Sequence, residues 1–142
     1  MKALLFATLL LCGVLAAAGF GYFVSARSGE ADVGRSLYAA NCASCHGANL
    51  EGQPDWMKRL PNGRLPAPPH DESGHSWHHS DKQLFTIVKS GLGAISPGYE
   101  SDMPAFEGVL TDEQIVEVLD YIKSRWPDRA RKYQVARSAA DP

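Results

Sequence analysis

Hydrophobic and polar positions divide this chain into stretches of clearly different kinds. Ala3–Val24 is a run of 22 residues without a charge. As a helix rising about 1.5 Å per residue it would extend about 33 Å, enough to cross a bilayer core. From about Asp32 the apolar positions recur at helical spacing, and Val33, Leu37, Tyr38 and Ala40 are predicted to line one face. Asp32 is only half a cap signal, since Arg35 rather than an acid stands three residues on. Ser80–Gly91 carries Leu84, Phe85, Ile87 and Val88 on one face, with a Ser80/Gln83 capping box and Gly91 at the stop. Thr111–Pro127 is the strongest helix. Thr111 and Gln114 repeat the capping box, and Ile115, Val118, Leu119, Ile122 and Trp126 keep helical spacing. Asp112 and Glu113 sit at its positive end, Lys123 and Arg125 at its negative end, and Pro127 ends it. No run alternates convincingly with a period of two, so the expected class is all-α.

Between these helices lie two irregular stretches. Gly47 to about His79 holds five prolines and four glycines. A long loop in a small domain usually has a function or wraps around something. Leu92–Leu110 is the second loop. The expected organisation is therefore residues 1–26 as a transmembrane anchor or signal peptide, 27–31 as a linker, 32–127 as the domain, and 128–142 as a basic C-terminal tail. Both readings of the N-terminal run imply export. Signal-peptide apolar regions usually run about 7–15 residues, so the length favours an uncleaved anchor. The alternative is cleavage near Val24–Ala26. Cys12 lies inside the run behind leucines and reads as a buried apolar thiol.

Composition adds two constraints. The 142 residues carry a net charge of −2 and 44% hydrophobic residues, part of them in the N-terminal run. There is no overall basic footprint for nucleic acid. The remaining core is small, and such domains often need a covalent or metal staple. Lys123–Arg137 has six basic residues against one acid, and reads as a solvated tail or as a docking strip for an acidic partner or anionic lipid.

The staple is suggested by Cys42-Ala43-Ser44-Cys45-His46. A structural zinc site needs four ligands, usually from paired knuckles, and only one Cys-x-x-Cys is present. A thiol redox motif belongs beside a βαβ unit, which has no counterpart here. A covalent c-type haem uses every residue: two thiols for the two vinyl groups, and His46 for the iron. In an exported chain this pattern is strong evidence for one haem c. A second axial ligand must come from far along the chain. Met103 is the candidate, because it precedes Pro104 on a loop rather than sitting among apolar helix positions. Met57 is the weaker alternative.

With these residues in place, the chain resembles the class I c-type cytochromes, small monohaem electron carriers. The resemblance spans about Ala31 to Trp126 and rests on "GRSLYAANCASCHG", "DMPAF" and "LTDEQIVEVLDYIKSRW". It implies a cytochrome c-like fold in which the N- and C-terminal helices of the domain cross, with Gly34 and Tyr38 meeting Val118 and Tyr121. It also implies a proline carbonyl that holds the His46 ring, for which Pro68 is the candidate. One departure stands out: His70, His75, His78 and His79 fall within ten residues. They read as hydrogen-bonding groups for the loop, the haem propionates or water, with a second metal site or a replacement distal ligand as the other reading. Trp77 reads as packing over the haem edge.

The expected function is one-electron transfer by a carrier rather than an enzyme. The carrier would be tethered at the periplasmic face of the cytoplasmic membrane, or soluble in the periplasm if cleaved. Its expected partners are a quinol-oxidising cytochrome complex and a terminal oxidase. The rivals are a haem subunit of a larger oxidoreductase, a haem protein that also handles copper through its histidines, and an enzyme or gas sensor with an open iron position.

Overall fold

The computed structural model describes residues 32–141. The Ala3–Val24 run with Cys12, and the linker 27–31, lie outside the described residues. No helix among the described residues is long and apolar enough to cross a membrane.

Residues 32–41 form the first helix, α1, and Ala43–His46 a short second one, α2. After the long loop come a 3-10 turn at Ser76–His78, α3 at Asp81–Ser90, a second 3-10 turn at Leu92–Ala94, α4 at Asp112–Ser124 and α5 at Asp128–Ala139. Among the described residues there is no strand, only one isolated bridge between Glu107 and Leu110. Both capping boxes form. Ser80 Oγ accepts from Gln83 N, and Thr111 Oγ1 accepts from Gln114 N. Gly91 closes α3 at φ 82, a left-handed conformation that costs glycine little.

The core is built from Tyr38, Leu50, Leu84, Ile115, Val118, Leu119, Ile122, Trp126 and Ala130. All five apolar positions expected for this helix are buried, four within α4 and Trp126 two residues past its end. In α3 only Leu84 is fully buried, while Phe85 and Val88 pack on the core from its margin. The face expected for α1 needs correction. Val33 and Ala40 are exposed, and Gly34 and Tyr38 are the buried positions. The reason is the contact with α4. A Cβ on Gly34 would stand 2.2 Å from Glu117 O, so the two backbones meet at Gly34 and roll α1 onto that side.

Residues 128–139 are a helix and not an open tail. The helix has hardly any apolar stripe. It is held through Ala130, which is buried, and through polar contacts. Buried Gln134 donates to Asp81 Oδ1 at 2.9 Å and to Ser138 Oγ at 2.9 Å. Asp81 N donates to Ser138 Oγ, and Ser80 Oγ donates to Asp141 Oδ2 at 2.6 Å. Tyr133 stands edge-on to Trp77 at 5.5 Å. Through these contacts α5 fixes the start of α3 and the histidine-rich turn before it.

Asp81 makes this junction sensitive to acid. Burial acts to raise its pKa, but the hydrogen bonds from Lys123, Gln134 and Ser138 outweigh it, so the carboxyl titrates below its ordinary value of 3.8. A depressed carboxylate contributes stability above its unfolded pKa and loses that contribution as pH falls through the folded one. The side chain is half exposed, so the effect is about 0.5 kcal/mol. Asp81→Asn is expected to flatten the loss of stability below about pH 4, measured by urea titration at several pH values. Parallel curves for the two proteins would remove Asp81 from the acid response.

Candidate functional site

The site begins at the end of α1. The chain continues almost unbroken from α1 into α2, with Cys42 N donating to Tyr38 O and His46 N to Cys42 O. Cys42 and His46 are thus one helical turn apart on one face. Both cysteines are free of disulfide, Cys42 half-buried and Cys45 exposed. Burial, and then Cys45, push the Cys42 thiol up to about 11. A redox-active pair needs a lowered thiol pKa, so these residues do not suit thiol exchange.

His46 is buried, and its Nδ1 lies 2.8 Å from Pro68 O. A carbonyl only accepts, so Nδ1 carries the proton and Nε2 carries the lone pair. Burial lowers the His46 pKa, and the bond to Pro68 opposes that only in part. The ring is therefore neutral, the form that binds a metal. On its face lies the His70 ring, stacked at 3.9 Å between centroids.

The Pro68 carbonyl is itself held in place. Gly52 and Gly74 close on Pro69 from two sides: a Cβ at Gly52 would lie 2.4 Å from Pro69 N, and one at Gly74 2.0 Å from Pro69 O. His70 N donates to Leu50 O at 2.8 Å, and buried Trp126 donates through Nε1 to His70 O at 2.7 Å. Tyr38 reaches in from α1, its hydroxyl donating to Gly47 O at 2.9 Å. The ring of Tyr38 lies 5.4 Å from that of Tyr121 on α4. The crossing of α1 with α4 and the histidine shell are therefore parts of one structure.

The other histidines engage mostly polar and aromatic neighbours, and the rings of His75 and His79 meet edge-on at 5.4 Å. His70 Nδ1 is 2.9 Å from Ser76 Oγ, and His79 Nδ1 donates to Gln83 Oε1 at 3.2 Å. His75 stacks on Trp56, and His78 lies against Trp77 and Tyr133. Among the described residues no group of three or more His, Cys, Asp or Glu is placed to hold a metal ion. The second metal site read from His70, His75, His78 and His79 is therefore not assembled: the rings of His75 and His79 approach each other at 5.4 Å, but no third ligand joins them.

Met57 is 75% exposed and unsuited to a closed position. Met103 is half-buried on the loop between the second 3-10 turn and α4, where its backbone N donates to Ser101 Oγ. The residues that the sequence reading missed are Gly52, Gly74, Ser76 and Trp126. The glycines were visible only as loop residues, and their role depends on a partner more than 15 positions away in one case.

The residues present fit a haem. His46 offers a neutral, oriented Nε2, and two free thiols stand on the adjoining turn. Trp77 Nε1 is a buried donor without an acceptor among the described residues. A haem carboxylate is an acceptor of the kind it needs.

The comparisons with known proteins agree. The family model described as cytochrome c oxidase, cbb3-type, subunit III matches residues 29–122. Cytochrome c6 of Leptolyngbya boryana is 33% identical over 93 residues, covering 66% of this chain and 89% of that protein. Cytochrome c-555 of Prosthecochloris aestuarii is 33% identical over 79 residues, covering 51% of this chain and 80% of that protein. No solved structure gives a significant match.

Proposed function

Because the chain belongs to the monohaem class I c-type cytochromes, electron-transfer proteins with covalent haem c and not enzymes, we propose a closed, six-coordinate carrier with specific partners. It takes electrons from a quinol-oxidising cytochrome complex and delivers them to a terminal oxidase at the periplasmic face of the membrane. When bound, the haem supplies a one-electron Fe(II)/Fe(III) couple. Cys42 and Cys45 hold it covalently. His46 would hold the iron through Nε2, and the Pro68 carbonyl fixes the ring and would raise its basicity. Met103 would supply its thioether as the second ligand, which would favour the reduced state relative to a second imidazole. With His46 and Met103 both engaged, these side chains would leave no place for a substrate at the iron.

The observation that carries this reading is the Nδ1 bond of buried His46 to Pro68 O, which leaves Nε2 as the ligating atom. The N-terminal run supports tethering, and a tethered carrier needs to move only near the membrane plane. The description of the matching family favours a second reading, a haem subunit within a larger oxidoreductase. Purification in mild detergent separates the two: a carrier comes away alone, a subunit with its complex.

The test of the ligand set is the spectrum of the oxidised protein. A thioether-to-ferric charge-transfer band is expected in the wild type, together with a mass for one covalent haem. Rapid carbon monoxide binding by the untreated reduced protein would contradict a closed iron.

A further inference from the structure

The loop that carries Met103 is short of internal support. Residues 96–105 contain no helix, and among the described residues the hydrogen bonds within this stretch are Tyr99 N to Ser96 O and Met103 N to Ser101 Oγ. Among the described residues, its ion pairs to the rest of the chain all come from Arg64. Arg64 Nη1 pairs with Asp102 Oδ1, and Arg64 Nε lies 3.7 Å from Glu100 Oε2. Asp102 is the residue just before Met103.

Arg64 does not swing freely. The loop that bears it is closed at its base by Gln53 N donating to Ala67 O at 2.9 Å, and Ala67 N donating to Gln53 Oε1 at 3.2 Å. A tight turn sits at its tip, with Leu60 N donating to Arg64 O and Gly63 N to Leu60 O, both at 2.8 Å. Arg64 N is further held by Asn62 Oδ1 at 3.0 Å. Four residues on is Pro68, whose carbonyl holds His46. One segment thus reaches both proposed axial ligands, His46 through Pro68 O and Met103 through the Arg64 guanidinium.

We propose that Arg64 is a positioning residue for Met103: a salt-sensitive latch that sets how often the distal loop opens and lets an external ligand reach the iron. This rests on Met103 being the distal ligand. The guanidinium suits the role, because it can pair with Asp102 and Glu100 at once and stays charged at any physiological pH. The three side chains are 36%, 56% and 72% exposed, so salt reaches the pairs and weakens them. The latch is therefore modest, and it acts on the open population of the loop rather than on the fold.

The test is imidazole binding to the oxidised holoprotein at about pH 8, where free imidazole is neutral and long-range attraction contributes nothing to its rate. In the wild type, association is expected to quicken between about 0.01 M and about 1 M salt. Arg64→Gln is expected to bind about threefold to fivefold faster at low salt and to lose the salt dependence. Arg64→Lys should recover part of the closure, and the exchanged pair Arg64→Asp/Asp102→Arg should recover more. Asp102→Asn should behave like Arg64→Gln. Equal rates and equal salt slopes in wild type and Arg64→Gln, with the thioether band present in both, would overturn the latch while leaving Met103 as ligand. Absence of the band from the wild type would overturn the ligand assignment and the latch with it.

Discussion

Gly34→Ala is expected to destabilise the domain by about 2 kcal/mol, although the same change in an open helix stabilises. In a free helix, alanine is favoured over glycine by about 1 kcal/mol. Here the added Cβ would lie 2.2 Å from Glu117 O and 2.9 Å from Glu117 C, in the backbone of α4. A backbone cannot turn aside as a flexible side chain can, so the helices must separate. Overpacking of this kind costs about 3 kcal/mol and exceeds the propensity gain. Separation would also loosen Tyr38 from Tyr121, and Tyr38 is what binds α1 to Gly47. Gly93→Ala is the control, since a Cβ there meets nothing within 4 Å and its backbone is not left-handed. Thermal unfolding of the holoprotein should show Gly34→Ala lower by about 10 °C and Gly93→Ala near wild type or slightly above it. A Gly34→Ala protein as stable as Gly93→Ala would mean that the two helices do not rely on this close approach.

What could be read from the chain, and what could not, divides along the range of the interactions. The capping boxes at Ser80 and Thr111 are spelled within four residues, and both helices begin where those residues place them. The face of α4 follows from its period alone. Gly34 was legible only by resemblance, because periodicity put Val33 and Ala40 on the inner face. Its true face depends on a contact with Glu117, which no local pattern encodes. For α5 there was no apolar stripe to find. It is held by Gln134, Ser138 and Asp141 bonding to Ser80 and Asp81, and a helix anchored by polar side chains reads as solvated from its sequence. The site divides in the same way. Cys42, Cys45 and His46 are contiguous and announced their chemistry. The four downstream histidines invited a metal site because they are close in sequence, yet where His75 and His79 meet no third ligand among the described residues joins them. His70 turns back onto His46. The exposed pair of Arg64 with Asp102 spans 38 positions, and it emerges only once the loops are folded.

Gly74→Ala is expected to disturb the haem ligand without touching any residue that contacts iron. Gly74 is buried, and a Cβ there would stand 2.0 Å from Pro69 O and 2.7 Å from Pro69 C. Gly52 already lies close against Pro69 N, so close that a Cβ there would stand 2.4 Å away, which leaves Pro69 little room to retreat. Pro69 must therefore shift along the chain and carry the Pro68 carbonyl away from His46 Nδ1. Cys42 and Cys45 still retain the haem, so the colour persists while the ligand changes. An imidazole that loses this hydrogen bond is less basic and stabilises the oxidised iron less, so the midpoint potential rises. Losses of such supporting bonds change metal affinity by about 10–100-fold, and a tenfold change in the relative affinity of the two oxidation states is about 59 mV for one electron. Pro68→Ala separates position from residue type. It keeps a backbone carbonyl between the same neighbours, and the pinch on Pro69 remains to place it. Redox titration should therefore find Pro68→Ala close to wild type and Gly74→Ala raised by tens of millivolts, roughly what a tenfold change implies. If both variants fold with one haem and share the wild-type potential, the Pro68 carbonyl does not tune this iron. If Pro68→Ala moves as far as Gly74→Ala, the rigidity of the proline rather than the glycine pinch sets the carbonyl in place.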